Sequence, residues 1–319
     1  MQFPNQRYNA KIRSFGAYRP ERVVTNAELA TIVDTSDEWI RTRVGIQTRH
    51  FGRPDETVTD MAVAAGEDAL RNAGLAASDI DLVIVASCTL ETPLPGVAAP
   101  VAYRLGIDSP GAFDLNAACA GFCYGLAQAS SAIRAGDARN VLLIGAEKFT
   151  DWVDPSDRTT YIIFADGAGA AVVSRGDDQE IGPAVWGSAG DRPDAIIIPD
   201  RNSMVEMDGQ AVFRWATTDM RDEVRRICKE SGVSLEDVDV FVPHQANMRI
   251  IDAMLRSLRF REDAVIARDI ARSGNTSAAS IPLALASLSN DGQAKTGDLV
   301  LAIGFGAGLT FAGQLFVMP

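Results

Sequence analysis

The chain is poor in the side chains that hold structural metals. It has two histidines and four cysteines in 319 residues, and no two cysteines are separated by just two residues. A structural zinc site needs four cysteine or histidine ligands, mostly at close spacing. We therefore expect no metal centre, and we expect His50, in a polar stretch, to be a surface or structural histidine.

Long apolar runs and excess basic charge are also missing. No apolar run approaches the ~18 residues typical of a membrane helix, and the first 20 residues lack the apolar core of a signal peptide. Acidic residues outnumber basic ones 42 to 30, giving a formal charge of -12 at pH 7. Nucleic-acid binders are usually basic. We expect a cytoplasmic protein with reduced cysteines, bound neither to membrane nor to nucleic acid.

Short apolar runs alternate with helical patterns, which predicts an α/β fold with a largely parallel sheet. Buried strands are expected at 82–86, 141–144 and 299–303, a further strand-like segment at 112–115, and helices at 59–72, 120–134, 219–230 and 280–288. The irregular stretch 188–210 is interpreted as an excursion that can line a ligand site.

The two halves of the chain resemble one another. From Gly74 to Gly232 is 158 residues, and the same offset joins Asp79 to Asp237 and Asp81 to Asp239. It also joins Val141 to Leu299 and Cys119 to Ser277. We therefore predict an internal duplication, with residues 1–180 and 181–319 as two α/β halves whose equivalent loops face one another.

Cys119 is the first candidate for chemistry. It lies in LNAACAGFCYGL, where a strand leads through small residues into a helix. A thiol beside a helix N-terminus is expected to have a lowered pKa and to be a better nucleophile. A buried structural cysteine is the ordinary alternative, and it is the interpretation we give to Cys123, one helical turn later.

His244 and Asn275 are candidate partners from the second half. His244 follows a buried strand in FVPHQAN, and function gathers beyond the carboxyl ends of strands in open α/β sheets. Asn275, in ARSGNTSAAS, can donate a hydrogen bond to an oxyanion, although GNTS is also an ordinary turn before a helix. The glycine-rich GFGAG at 304–308 lacks the helix that a dinucleotide loop needs. We interpret it as a tight turn whose N–H groups can serve an oxyanion.

The chain resembles the β-ketoacyl-[acyl-carrier-protein] synthase III family, the initiating condensing enzymes of type II fatty acid synthesis. The resemblance runs almost end to end, through DTSDEWIRTRVGI (34–46), AACAGF (117–122), DRTTYIIFADGAGAAV (157–172), VPHQAN (242–247), GNTSAAS (274–280) and GFGAGLTF (304–311). It implies a thiolase-like fold of two duplicated α/β halves in five layers, αβαβα, and a homodimer.

The resemblance also implies the chemistry. Cys119 would accept an acyl group from acyl-CoA, while His244 and Asn275 would bind the malonyl thioester oxygen of malonyl-acyl-carrier-protein as CO₂ leaves. The backbone N–H groups of Cys119 and Gly306 would hold the tetrahedral oxyanion. No cofactor is implied, because acyl-CoA and malonyl-carrier-protein are substrates.

Further positions match the family's binding residues. Trp39, Arg43 and Arg158 would contact the CoA nucleotide, and Gly209, Phe213, Ala246 and Asn247 would line the pantetheine arm. Phe213 can equally be a core residue. Leu94 would narrow the acyl pocket across the dimer interface. Acyl carrier protein would dock on a basic patch formed by Arg249, Arg256 and Arg259, in a segment that also holds Arg261 and only one acid, Asp252.

Other functions remain open on the sequence. A starter ketosynthase or acyltransferase of a polyketide pathway shares the motifs. A chalcone-synthase-like enzyme uses the same three residue types, but such enzymes are larger. A papain-like thiol hydrolase has the order Cys, His, Asn but needs a C-G-[SA]-C-[WY] motif that is missing here. A non-enzymatic acyl-binding module would leave Cys119 unreactive.

Overall fold

The structure is a computed structural model and describes residues 7–319. Its strands are β1 (Asn9–Tyr18), β2 (Arg22–Thr25), β3 (Thr48–Phe51), β4 (Leu82–Ala86), β5 (Gly111–Leu115), β6 (Asn140–Lys148), β7 (Asp166–Gly176), β8 (Val185–Ser188), β9 (Ile196–Ile197), β10 (Glu206–Met207), β11 (Val240–Pro243), β12 (Val265–Ile266), β13 (Leu299–Gly306) and β14 (Thr310–Val317). Its α-helices are α1 (Asn26–Leu29), α2 (Asp37–Val44), α3 (Val58–Ala73), α4 (Ala98–Arg104), α5 (Gly121–Ala135), α6 (Arg158–Tyr161), α7 (Gly209–Ser231), α8 (Met248–Ser257), α9 (Ile270–Ser273) and α10 (Ser280–Asn290).

Two five-stranded sheets form the core, in the orders β1-β7-β6-β4-β5 and β8-β14-β13-β11-β12. Pairing is antiparallel along the first three strands of each order and parallel along the last three. Each strand of one sheet therefore has a counterpart in the other, and the predicted duplication is confirmed.

The helices complete five layers. Helices α3 and α4 pack on the outer face of the first sheet, and α7, with α8 against it, covers the outer face of the second. Helices α5 and α10 lie between the sheets. Apolar side chains such as Phe122, Leu126 and Leu285 are fully buried there. The structure thus has the αβαβα arrangement that the family resemblance implies.

Residues at equivalent positions of the two halves have the same structural roles. Gly74 and Gly232 both end a helix in the left-handed conformation, with φ of 63° and 73°. The amide of Asp81 donates to the carbonyl of Asn140, and that of Asp239 to the carbonyl of Leu299. This pairs Leu299 with Asn140 rather than Val141, so the expected pair was wrong by one residue. The same shift makes Ala118 the counterpart of Ser277, since these residues begin matching 3₁₀ turns with φ of 44° and 47°.

The predicted strands and helices are found, with one helix much longer than expected. Helix α7 begins at Gly209 rather than near Asp219. The carboxylate of Asp208 accepts hydrogen bonds from Gln210 N and Ala211 N, which caps the helix. Val212 and Trp215 then extend the buried face toward this cap. Gly209, Thr217 and Thr218 in this helix are poor helix formers. The sequence pattern therefore did not indicate that the helix begins as early as Gly209.

The boundary between residues 180 and 181 stays a prediction. The first sheet ends with Gly176, and Ile181 already forms a bridge with Phe316 of the second. The excursion at 188–210 contains the small β9–β10 hairpin.

Candidate active site

A cavity of about 1090 Å³ lies between the two halves. Cys119, His244, Asn275 and Gly306 all line it. Cys119 follows β5, His244 follows β11, and Gly306 ends β13, so carboxyl ends of strands from both sheets converge here. The excursion contributes Ile196–Ile197 and their neighbours as one wall, as expected for residues 188–210.

Close backbone packing fixes the position of Cys119. The residue sits in the 3₁₀ turn Ala118–Ala120 directly before α5 and is 7% exposed. A Cβ on Gly306 would lie 2.8 Å from Cys119 Cβ and 3.0 Å from its Sγ. Only glycine lets β13 come this near the thiol. Of the GFGAG motif, residues 304–306 therefore belong to the strand, and only the last two begin the expected turn.

The protonation state of Cys119 differs from the expectation. Burial raises the pKa of its thiol to about 12, although the Ser277 hydroxyl and the backbone N–H of Cys119 act in the opposite direction. The prediction of a lowered pKa was therefore wrong. Proximity to a helix N-terminus could be seen in the sequence, whereas the loss of hydration that outweighs it could not.

His244 is held as a neutral imidazole. Its amide donates to the carbonyl of Ile303, its ring meets Phe305 edge-on at 5.4 Å, and its Nδ1 lies 2.7 Å from Ser280 Oγ. Burial lowers the pKa of His244 to about 3. With Nδ1 engaged, Nε2 is the ring nitrogen available to a molecule in the cavity.

Asn275 is oriented in a comparable way. Its Oδ1 accepts the amide of Ser277 at 2.9 Å, and its own amide and carbonyl are bonded to Ile163 O and Ala165 N. Because the side-chain oxygen is occupied, the Nδ2 group remains as the donor. The site thus combines a thiol with two neutral hydrogen-bond donors, a set suited to acyl transfer and to stabilising an oxyanion.

The sequence interpretation missed a buried carboxyl beneath the cavity. Glu147 is fully buried and accepts hydrogen bonds from the Thr89 hydroxyl at 2.6 Å and the Cys88 amide at 3.1 Å. Burial raises its pKa. Cys88 lines the cavity, and its thiol lies 3.6 Å from Ser277 Oγ. The signal in the sequence that could have revealed this buried carboxyl is an acidic residue, Glu147, at the end of the otherwise apolar strand β6.

The residues matched to CoA binding form two groups. The guanidinium groups of Arg43 and Arg158 lie 5.8 Å and 4.8 Å from the Trp39 ring centre. Trp39 and Arg43 are one turn apart on α2, and folding brings Arg158 to them from a distant part of the sequence. The four pantetheine candidates, Gly209, Phe213, Ala246 and Asn247, all line the cavity. Phe213 also packs against the core of the second half, and its contact with the pantetheine arm stays a prediction.

The three arginines of the predicted basic patch are exposed, and the acids near them are paired elsewhere. Arg249, Arg256 and Arg259 are exposed, and the structure gives them no ion pair within residues 7–319. Asp252 pairs with Arg268 at 2.8 Å, so it does not offset the patch. Arg261 is bound by Asp239 and Asp263. The free positive charge therefore lies on three arginines.

Leu94 lies outside the chain's own cavity, with 84% of its surface exposed.

Among residues 7–319, no three or more histidine, cysteine, aspartate or glutamate side chains are grouped to hold a metal ion. Over the same residues, no helix has both the length and the apolar character needed to span a bilayer.

Family models match two parts of the chain. Residues 113–190 match 3-oxoacyl-[acyl-carrier-protein] synthase III, and residues 228–318 match the C-terminal model of the same family. The two matches include Cys119, His244 and Asn275.

Whole proteins and solved structures agree. The chain is 49% identical to β-ketoacyl-[acyl-carrier-protein] synthase III 2 of Streptomyces avermitilis, over 97% of this chain and 99% of that protein. It is 50% identical to the mycobacterial β-ketoacyl-[acyl-carrier-protein] synthase III of Mycobacterium bovis, over 96% and 95%. The priming β-ketosynthase of the R1128 polyketide biosynthetic pathway superposes with a TM-score of 0.96 at 41% identity, covering 100% of this chain and 98% of that one. 3-Oxoacyl-[acyl-carrier-protein] synthase III from Aquifex aeolicus gives 0.93 at 41%, covering 97% and 100%. With this fold, this cavity and these relatives, the chain belongs to the β-ketoacyl-[acyl-carrier-protein] synthase III family of condensing acyltransferases.

Proposed function

We propose that the chain joins an acyl-CoA primer to malonyl-acyl-carrier-protein by decarboxylative condensation, through an acyl thioester on Cys119. This is the initiating condensation of type II fatty acid synthesis. The observation that carries the proposal is the convergence of one thiol and two oriented neutral donors, Cys119, His244 and Asn275, on a single cavity.

The first half-reaction loads the primer. The sulfur of Cys119 attacks the acyl-CoA carbonyl, the C–S bond to CoA breaks, and the thiol proton leaves with CoA as free CoASH. The backbone N–H groups of Cys119 and Gly306 are the proposed donors to the tetrahedral oxyanion, and the close approach of β13 supports this pairing. Each such donor contributes about 10²–10³ in rate.

The second half-reaction forms the carbon–carbon bond. Nε2 of His244 and Nδ2 of Asn275 donate to the thioester oxygen of the malonyl group. As CO₂ leaves, its bonding electrons pass into an enolate that both donors stabilise. The enolate carbon attacks the acyl carbonyl on Cys119, and the released sulfur regains a proton. The product is β-ketoacyl-carrier-protein. No step needs a resident metal or cofactor.

The substrates are proposed to enter through the residues already described. Arg43 and Arg158 suit the phosphates of CoA, and the Trp39 face suits its adenine. Gly209, Phe213, Ala246 and Asn247 would follow the pantetheine arm into the cavity. The patch of Arg249, Arg256 and Arg259 would receive the acidic carrier protein, and Arg249 also lies 5.5 Å from the Phe213 ring, beside the cavity.

We propose a homodimer that acts in the cytoplasm. The exposed edge strand β5 and the exposed Leu94 support a second subunit at this side, with Leu94 entering the partner's acyl pocket. The four cysteines are all unpaired, as is usual in a reducing compartment.

A second candidate is the starter ketosynthase of a polyketide pathway. The observation that favours it is the likeness to the R1128 priming β-ketosynthase, at a TM-score of 0.96. Both candidates load a primer on Cys119 and differ in which primer is preferred.

The test is intact-protein mass after incubation with acyl-CoAs from acetyl to dodecanoyl. We expect an acyl adduct on the native protein and on Cys123→Ala, a matched control for a buried thiol, but none on Cys119→Ala. His244→Ala and Asn275→Ala should still load but lose malonyl decarboxylation by about 10²–10³. An adduct on Cys119→Ala would exclude this thiol as the nucleophile, and loss of loading in His244→Ala would contradict the division of roles.

A further inference from the structure

The hydroxyl of Ser280 lies behind the imidazole of His244. Ser280 is the first residue of α10, is 2% exposed, and places its Oγ 2.7 Å from His244 Nδ1. The same oxygen accepts the amide N–H of Gln245 at 3.4 Å. Across residues 7–319 the hydroxyl makes no other hydrogen bond.

The number of protons and acceptors available decides which group donates in the hydrogen bond between Ser280 Oγ and His244 Nδ1. If Nδ1 carried the proton and donated it, the Ser280 hydroxyl proton would be buried without an acceptor, which is unfavourable. If the hydroxyl donates to a bare Nδ1, both groups are satisfied and Oγ keeps a lone pair for the Gln245 amide. We propose that Ser280 is a positioning residue that donates to Nδ1 and thereby fixes the proton of His244 on Nε2.

The other histidine provides an internal reference with the opposite arrangement. Nδ1 of His50 lies 2.7 Å from the carbonyl oxygen of Pro20. A carbonyl only accepts, so neutral His50 carries its proton on Nδ1. The chain has just two histidines. The structure therefore predicts one histidine of each tautomer in the same protein.

This inference rests on the proposed function and specifies how His244 takes part in it. A proton fixed on Nε2 makes His244 a hydrogen-bond donor at the start of decarboxylation, and it denies Cys119 a general base at that atom. Ser280 thus selects enolate stabilisation over proton abstraction, because the imidazole can offer a lone pair at Nε2 only by reversing the hydrogen bond at Nδ1, which leaves the Ser280 hydroxyl proton without an acceptor.

The direct test reads the tautomers in the native protein. Solid-state ¹⁵N spectra of protein labelled at histidine alone distinguish protonated from bare ring nitrogens, and His50→Gln assigns the signals. We expect His50 protonated at Nδ1 and His244 at Nε2 at pH 7–8. A proton on Nδ1 of His244 would overturn the inference. This reading needs no activity, so it separates the failure of the inference from the failure of the proposed function.

Variants test the consequence for the reaction. Ser280→Ala should shift His244 toward the Nδ1 tautomer and slow malonyl decarboxylation by roughly 10- to 100-fold, the range seen when the orienting partner of a metal-ligating histidine is removed. Acyl transfer to Cys119 should be unchanged. Ser280→Cys, a weaker donor of similar shape, should fall in between and serves if the alanine variant does not fold. Ser289→Ala, on the exposed end of the same helix, is the control. Equal loss of both half-reactions, or of neither, would reject the positioning role.

Discussion

The thiol of Cys119 and the imidazole of His244 are both neutral near pH 7. Burial raises the pKa of Cys119 to about 12 and lowers that of His244 to about 3, because each charged form loses its hydration. Neither group is pre-ionised. The site supplies donors and a thiol, and leaves charge to develop on the substrates, where fixed donors stabilise it best.

The raised pKa of Cys119 predicts the pH dependence of its alkylation. Only the thiolate reacts, so its rate with iodoacetamide should rise about tenfold per pH unit between about pH 6 and pH 9, with no plateau. The measurement is the rate of adduct formation by intact mass, with Cys119→Ala giving the background from the other three thiols. A plateau near neutral pH would show that the helix N-terminus outweighs burial after all.

At the scale of elements, the decisive contact is the approach of β13 to the turn before α5. A Cβ on Gly304 would lie 2.9 Å from Ala120 Cα, and one on Gly306 would lie 2.8 Å from Cys119 Cβ. Strand and nucleophile come from different halves of the chain. Two glycines two residues apart on one strand therefore let the halves meet at the thiol.

Gly306→Ala tests this contact. The added methyl overlaps Cys119, so we expect acyl loading to be lost and the free energy of unfolding to fall by about 1–3 kcal/mol. Loading is measured by intact mass and stability by urea denaturation. The control is Gly190→Ala, where an added Cβ meets nothing within 4 Å. Normal loading by Gly306→Ala would mean that β13 can move away from the thiol.

The basic patch on and beside α8 makes a second prediction at this scale. Arg249→Glu should raise the KM for malonyl-carrier-protein at least about tenfold, because charge complementarity governs the encounter. The KM for acyl-CoA should stay nearly constant. Arg134→Glu, at the exposed far end of α5, reverses a charge away from the cavity mouth and is the control. Equal effects on both substrates would remove the docking role.

At the scale of the molecule, the edge of the first sheet formed by β5 is exposed to solvent. β5 is an edge strand with every residue at least partly exposed, whereas the opposite edge strand, β1, has several buried residues. Phe113 on β5 is 42% exposed, and Tyr103 of the adjacent α4 is 84% exposed. An open edge with apolar neighbours is a surface for pairing with a second copy.

We expect Phe113→Asp combined with Tyr103→Asp to convert the proposed dimer into a monomer. Two carboxylates would have to be buried without partners, which no dimer contact compensates. Light scattering measures the mass, and Ile32→Asp, at an exposed apolar residue elsewhere, is the control. A double variant that remains dimeric would place the interface on another surface.

Much of this protein could be predicted from its sequence. Apolar runs predicted the strands, glycines such as Gly74 and Gly232 predicted the helix ends, and the internal repeat predicted the duplication, because all of these depend on local chemistry and on chain order. Cys119, His244 and Asn275 were recognisable for the same reason, as each lies in a short motif, AACAGF, VPHQAN or GNTSAAS.

Tertiary structure alone decided the state of those residues. The raised pKa of Cys119 comes from burial by segments distant in sequence. The partner of His244 is a serine 36 residues away, and the acid beneath the cavity, Glu147, is joined to Cys88 only by folding. Hydration, proton position and charge pairing depend on which groups meet across the two halves. These properties are determined when the sheets and the central helices pack together, so a local sequence pattern cannot predict them.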